Sequence, residues 1–119
     1  MSEYEFRIPE ESEYSNYKEK TVHGTALLPF AKYHLNISDM LPFYPIHWHE
    51  EVEIIKVQSG KGSFCVDGSW YQCTGGDIII LRPFVMHSIN QFESCDMSMD
   101  AIVFNLRLLG SDDADICTL

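Results

Sequence analysis

Gly60–Leu81, GKGSFCVDGSWYQCTGGDIIIL, is the stretch on which the fold class depends. Its middle pair, Asp67-Gly68, is the combination that closes a two-residue hairpin, because both positions of such a turn take a positive φ. The segments on either side, Ser63–Asp67 and Ser69–Thr74, have strand length and are predicted to pair across that turn. Gly75-Gly76 then reverses the chain again, and Asp77–Leu81 (DIIIL) reads as a buried strand. Outward from this core the same texture continues. Ala31–Ile37 alternates, with Tyr33, Leu35 and Ile37 on one face and Lys32, His34 and Asn36 on the other. Glu51–Gln58 is rich in β-branched residues, and Met86–Phe92 and Met97–Leu106 supply two more strands. No segment before the tail carries a helical period, and Gly and Pro interrupt the chain often. About seven to nine short strands joined by tight turns make an all-β sandwich or small barrel with little helix.

The 119 residues, 45% hydrophobic and 22% charged, suit one domain with one core. Eighteen acidic residues against eight basic ones give a net charge of −10, so the chain is a poor direct partner for nucleic-acid phosphates or anionic membranes. No apolar run is long enough to span a bilayer. The opening MSEYEFRIPEESEY lacks a secretory signal, which predicts a cytoplasmic protein without membrane contact. Cys65, Cys73, Cys95 and Cys117 are accordingly expected as free thiols, with no C-x-x-C pair among them. The sequon Asn36-Ile37-Ser38 is expected to stay unmodified for the same reason. Residues 1–21 form an acidic, Tyr-bearing arm, residues 22–109 the barrel, and residues 110–119 a tail.

The chemistry concentrates in Ile46-His47-Trp48-His49-Glu50-Glu51-Val52-Glu53. His47, His49 and Glu53 are all odd-numbered and point to one side of an extended strand. His87 follows the Arg82-Pro83-Phe84-Val85 turn, and a neighbouring strand would bring its imidazole to the same point. Three His and one Glu suit a divalent transition metal (Zn, Ni, Fe or Mn) with one or two positions open. The same residues also suit a polar interior, where an imidazole hydrogen-bonds Glu53 or a buried water. Arg82, at the rim, is a candidate clamp for a ligand carboxylate or hydroxyl. Trp48 faces away from the two His that flank it, toward core or an interface. Val52 and Ile54 lie opposite Glu53 and Ile55, so the strand is apolar on both sides and needs a cover: a partner chain, the arm or a second sheet.

His47-x-His49-x3-Glu53-x6-Gly60 resembles the first motif of the cupin superfamily. Gly76-Asp77, the apolar run, Pro83 and then His87 resemble the second, fifteen residues on. Leu41 replaces the usual leading Gly, and Gln91 stands where Asn is usual, with Asn90 one residue short. Pro83 comes one residue late, as is typical of one branch. Phe43–Ile55, Gly60–Gly68, Gly75–Pro83, His87-Ser88-Ile89 and Ala101–Leu106 resemble the effector-sensing domain of AraC-family transcription regulators. That resemblance implies a cupin-type double-stranded β-helix that binds a small-molecule effector, often a sugar, and forms a homodimer. It also implies an arm that folds over the effector, for which Tyr4, Tyr14 and Tyr17 are candidates. DNA binding would belong to a C-terminal helix-turn-helix domain expected beyond the tail and absent from this chain. The chain is then no enzyme in itself. A small metal-dependent cupin isomerase or oxygenase is the alternative that the His and Glu set keeps open.

Overall fold

The computed structural model describes residues 11–19, 30–38, 43–91 and 96–106. Among these residues a 3-10 turn at Glu11–Tyr17 precedes seven strands: β1 Phe30–Ile37, β2 Phe43–His47, β3 Val52–Val66, β4 Ser69–Thr74, β5 Ile78–Leu81, β6 His87–Gln91 and β7 Met97–Phe104. All the strand pairs are antiparallel. The all-β fold expected from the turns is the fold observed, in the double-stranded β-helix form that the cupin resemblance implied.

Its axis is β3. The N-terminal half of β3 lies between β5 and β7, with Ile54 opposite both Ile80 and Ile102. The C-terminal half lies between β4 and β6, with Phe64 opposite both Tyr71 and Ile89. One long strand therefore belongs to two sheets. β1 extends the first sheet beside β7, and β2 extends the second beside β6.

The spacing predicts two strands where β3 is one. The expected gap falls at Gly60, where φ is +85° and the register slips between Val57 and Ser59. A glycine in the left-handed region lets the strand bend without breaking, so the ladder continues round the corner. Partners on both edges hold it there: Lys61 N–H donates to Asp96 O at 3.3 Å, and Gly75 N–H donates to Gly60 O at 3.2 Å. β2 also went unread as a strand, its Pro45 and short length giving no alternation.

Burial follows the pleat. In β7, Met97, Met99, Ala101 and Val103 are buried while Asp100 and Ile102 are exposed. Tyr33, Leu35 and Ile37 stand opposite Ala101, Met99 and Met97, so the alternating face of β1 turns inward as predicted. Phe64, Ile55, Val57 and Ile89 complete the core, each side chain of this size contributing about 1.5–3 kcal/mol when fully buried. β5 departs from expectation. Leu81 is 1% exposed, but Ile78 and Ile80 are 61% and 65% exposed, because this sheet edge has its outer face uncovered among the described residues. The continuous apolar run hid a strand with one wet face.

Cys65 and Cys73 are free and buried, and burial pushes both thiols up from their ordinary pKa. Cys95 and Cys117 lie outside the described residues. Because the thiolate is the nucleophile, Cys65 and Cys73 should resist iodoacetamide at pH 8 in the native protein and react on unfolding. Peptide mapping by mass spectrometry reads this out; prompt native labelling of either would contradict their burial.

Candidate functional site

His47 ends β2 and stands opposite His87, the first residue of β6. The chain then bends through Glu50 and Glu51 before Glu53 enters β3. The residues thus do not share one face of one strand, as their odd numbers suggested. The bend carries His49 back over the pair, and Glu53 arrives from the first sheet, opposite Leu81 and Val103. Ring centroids lie 4.2 Å apart for His47 and His87, 5.0 Å for His49 and His87, and 5.8 Å for His47 and His49.

The three imidazoles are oriented in the same way. Each Nδ1 is within hydrogen-bond distance of a main-chain carbonyl two residues away: Pro45 at 2.8 Å for His47, Glu51 at 3.0 Å for His49 and Val85 at 2.9 Å for His87. An Nδ1–H that donates to a carbonyl fixes the tautomer and leaves Nε2 to face the site. One ring nitrogen from each His lies within 4.8 Å of the other two. His87 Nε2 is buried and has no hydrogen-bond partner among the described residues. A buried polar atom without a partner costs about 1–3 kcal/mol, which a Lewis acid at that point would recover. The donor set therefore fits a divalent transition metal.

Glu53 supplies the charge. Its Oε1 lies 3.0 Å from His49 Nε2 and 3.9 Å from His87 Nε2. Burial alone would lower the pKa of His49, but the hydrogen bond and charge of Glu53 outweigh it and hold the imidazole above its ordinary value. With Nδ1–H given to Glu51, Nε2 can donate to Glu53 only as imidazolium. His87 behaves oppositely: burial and the neighbouring His47 push it down to about 4, so it stays neutral and able to ligate.

His47, His87 and Glu53 line one end of a cavity of about 150 Å³, and His49 is held beside it by its contact with Glu53. Sites that bury drug-sized ligands usually run to roughly 300–1,000 Å³, so this one has room for an ion with its waters, or for one end of a small polar molecule. Tyr33 and Tyr44 form its walls. Burial, and then the charges of Glu19 and Glu53, push the Tyr33 hydroxyl up, so it remains a proton donor. Arg82 is exposed and does not line the cavity.

The arm lies on the barrel over residues 11–19. Tyr14 stacks on Trp48 with centroids 4.6 Å apart and donates its hydroxyl to Phe84 O, while Trp48 Nε1–H donates to Tyr14 O at 2.7 Å. Trp48 N–H donates to Tyr17 O at 3.0 Å, and Glu19 N–H donates to Trp48 O at 2.8 Å. Trp48 does face away from the imidazoles, and what it meets is the arm. Tyr14 is thereby engaged by Trp48 rather than by the cavity; Tyr4 lies outside the described residues. The arm residue that does reach the cavity is Glu19, with Oε2 3.2 Å from His47 Nε2. Sequence reading missed it because a glutamate among five others in an acidic arm carries no spacing signal. Tyr44 was missed too: three residues before His47 it would face away on a regular strand, and the register shift between the two brings both to the cavity.

One strand shared by two sheets, with imidazoles gathered where they meet, defines a cupin. Solved structures agree: a cupin from Bacteroides fragilis superposes with a TM-score of 0.61 at 20% identity, covering 76% of this chain and 85% of that one. The polyketide cyclase RemF from Streptomyces resistomycificus superposes with a TM-score of 0.57 at 18% identity, over 64% of this chain and 54% of that one. Within that fold the chain belongs to the AraC-like ligand binding domain family, which matches residues 34–110. A curated relative, the uncharacterized HTH-type transcriptional regulator YdeC of Bacillus subtilis, is 29% identical over 82 residues. That match spans 68% of this chain and 28% of the regulator.

Proposed function

We propose that the domain senses a small polar effector, such as a sugar, in the cavity at the end of β3. A divalent transition metal (Zn, Ni, Fe or Mn) held by His47, His49 and His87, with Glu53 beside them, would form its floor. The single observation that carries this reading is His87 Nε2, buried without a partner and turned into the cavity by its bond to Val85. When bound, the ion would supply a Lewis-acid contact for an effector hydroxyl or carboxylate. Tyr33 would donate to the same ligand, and the Tyr44 ring would pack on its apolar face.

Occupancy is read as regulation, not turnover. The protein carrying this domain would control transcription through a helix-turn-helix segment lying outside these residues, as the name of its Bacillus subtilis relative indicates. An effector shifts DNA affinity only by its differential affinity for two states of the domain. A second copy of the chain is the proposed cover for the outer row Ile54, Ile80 and Ile102, of which Ile80 and Ile102 are 65% and 41% exposed. No helix among the described residues is long and apolar enough to cross a membrane; a cytoplasmic location is part of the proposal. Arg82 retains a role only for an effector that extends beyond the cavity.

Metal analysis of protein purified without an affinity tag, beside a His47→Ala/His87→Ala variant, tests the site. Stoichiometric metal in the first and none in the second is expected, together with thermal stabilisation by a member of a sugar panel. Metal plus turnover of a small substrate would instead establish the cupin-enzyme alternative. Equal metal content in both proteins would remove the site from consideration.

A further inference from the structure

The arm does more than cover Trp48: it delivers a carboxylate to the imidazoles. We propose that Glu19 is a metal ligand borne by the arm, so that an ion held by His47, His49 and His87 also fastens the arm to the barrel. The inference rests on the metal-bound reading of this cavity and adds a ligand from a different part of the chain.

Electrostatics supply the first argument. Glu19 and Glu53 each place an oxygen 3.2 Å and 3.0 Å from an Nε2 whose partner Nδ1 is already taken by a carbonyl. Two carboxylates in one partly buried site repel unless positive charge, whether protons on the imidazoles or a bound ion, lies between them. One divalent ion would balance both.

Burial is the second. Side-chain exposure rises from 1% at His87 through 4% at His49 and 9% at Glu53 to 17% at His47 and 21% at Glu19. Glu19 sits at the mouth of the cavity, where an ion bound by the deeper imidazoles would have its open side.

Placement is the third. The stack on Tyr14, the Tyr17 and Glu19 main-chain bonds, and the Lys18–Glu50 ion pair at 3.0 Å all converge on Trp48 and Glu50. Trp48 is the residue between two of the imidazoles. The arm is therefore registered against the very segment that supplies them.

Coupling of this kind is reciprocal: whatever the ion adds to arm docking, docking adds to ion affinity. Calorimetric titration with Zn²⁺ reads one side, and the rate of tryptic cleavage after Lys18 reads the other, since Lys18 is bridged to Trp48 only when the arm is docked. In the wild-type chain Zn²⁺ should slow that cleavage. Glu19→Gln should weaken Zn²⁺ binding by roughly tenfold or more and abolish the protection. Tyr14→Ala, which touches no imidazole, should lower affinity and protection by a matching factor. A protonated His47 would also hold Glu19 at this distance; in that case Glu19→Gln leaves Zn²⁺ affinity unchanged, and the inference falls while the three-imidazole site stands. Tighter binding in Glu19→Gln would make Glu19 a competitor of the ion and overturn the inference equally. If the wild-type chain takes up no Zn²⁺, the site reading and the inference fall together.

Discussion

Gly60→Ala should prevent the chain from folding to a soluble product, and Gly76→Ala should not. Both glycines have positive φ, +85° and +99°, so both substitutions force an L-residue into the left-handed region. That strain costs about 1–2 kcal/mol. The surroundings separate them. A Cβ on Gly60 would sit 1.6 Å from Asp96 O and 2.6 Å from the Asp96 carbonyl carbon, whereas a Cβ on Gly76 meets nothing within 4 Å. Asp96 cannot yield by rotating a side chain, because the obstruction is backbone. Nor can β3 step aside, being hydrogen-bonded to Asp96 on one edge and to Gly75 and Thr74 on the other. The expected loss exceeds ~4 kcal/mol, in the range where single substitutions unfold small domains. Soluble yield checks it first, and urea unfolding of any Gly60→Ala protein that folds, beside Gly76→Ala, measures the loss. Equal midpoints would mean that the strand crossing does not depend on close backbone approach at Gly60.

The second large effect concerns metal-dependent stability. Zn²⁺ at a hundred times its dissociation constant should add about 2.7 kcal/mol to the wild-type protein. For a chain of 119 residues this raises the melting temperature by roughly 10 °C. In His87→Ala that rise should vanish, with affinity down at least ~100-fold, because the most buried of the three nitrogens is gone. The variant should still fold. His87→Ala removes a buried nitrogen that has no partner, which offsets part of the packing it gives up. His34→Ala is the matched control: His34 is exposed, pairs with Asp100 at 2.7 Å and lies away from the cavity. Thermal scans with and without Zn²⁺ decide the matter. A Zn²⁺ response that survives in His87→Ala places the metal elsewhere.

Turns and alternation were legible in the sequence because they are local. Asp67-Gly68 closes the β3–β4 hairpin, with φ of +49° and +85°, and Ser69–Thr74 is the strand its flanks predicted. The inward face of β1 followed from period two alone. What escaped reading depends on neighbours far along the chain. Whether β3 breaks at Gly60 is settled by Asp96 and Gly75, and nothing near Gly60 announces either of them. Ile78 and Ile80 looked buried because an apolar run cannot say which of its faces will be covered. Within the site, the imidazoles of His47, His49 and His87 and the carboxylate of Glu53 converge, although through a bend rather than along a strand. Glu19 could not be found, since its meeting with His47 is fixed by Tyr14 and Trp48 packing together.

The carbonyls that aim the three imidazoles belong to Pro45, Glu51 and Val85, and every amino acid carries such a carbonyl. Substitution at those positions cannot delete the acceptor; only a change of backbone path can. The alignment of the site is thus inherited with the chain trace rather than with particular side chains. The walls, the arm and the specificity of the cavity are free to diverge while the three nitrogens keep their aim.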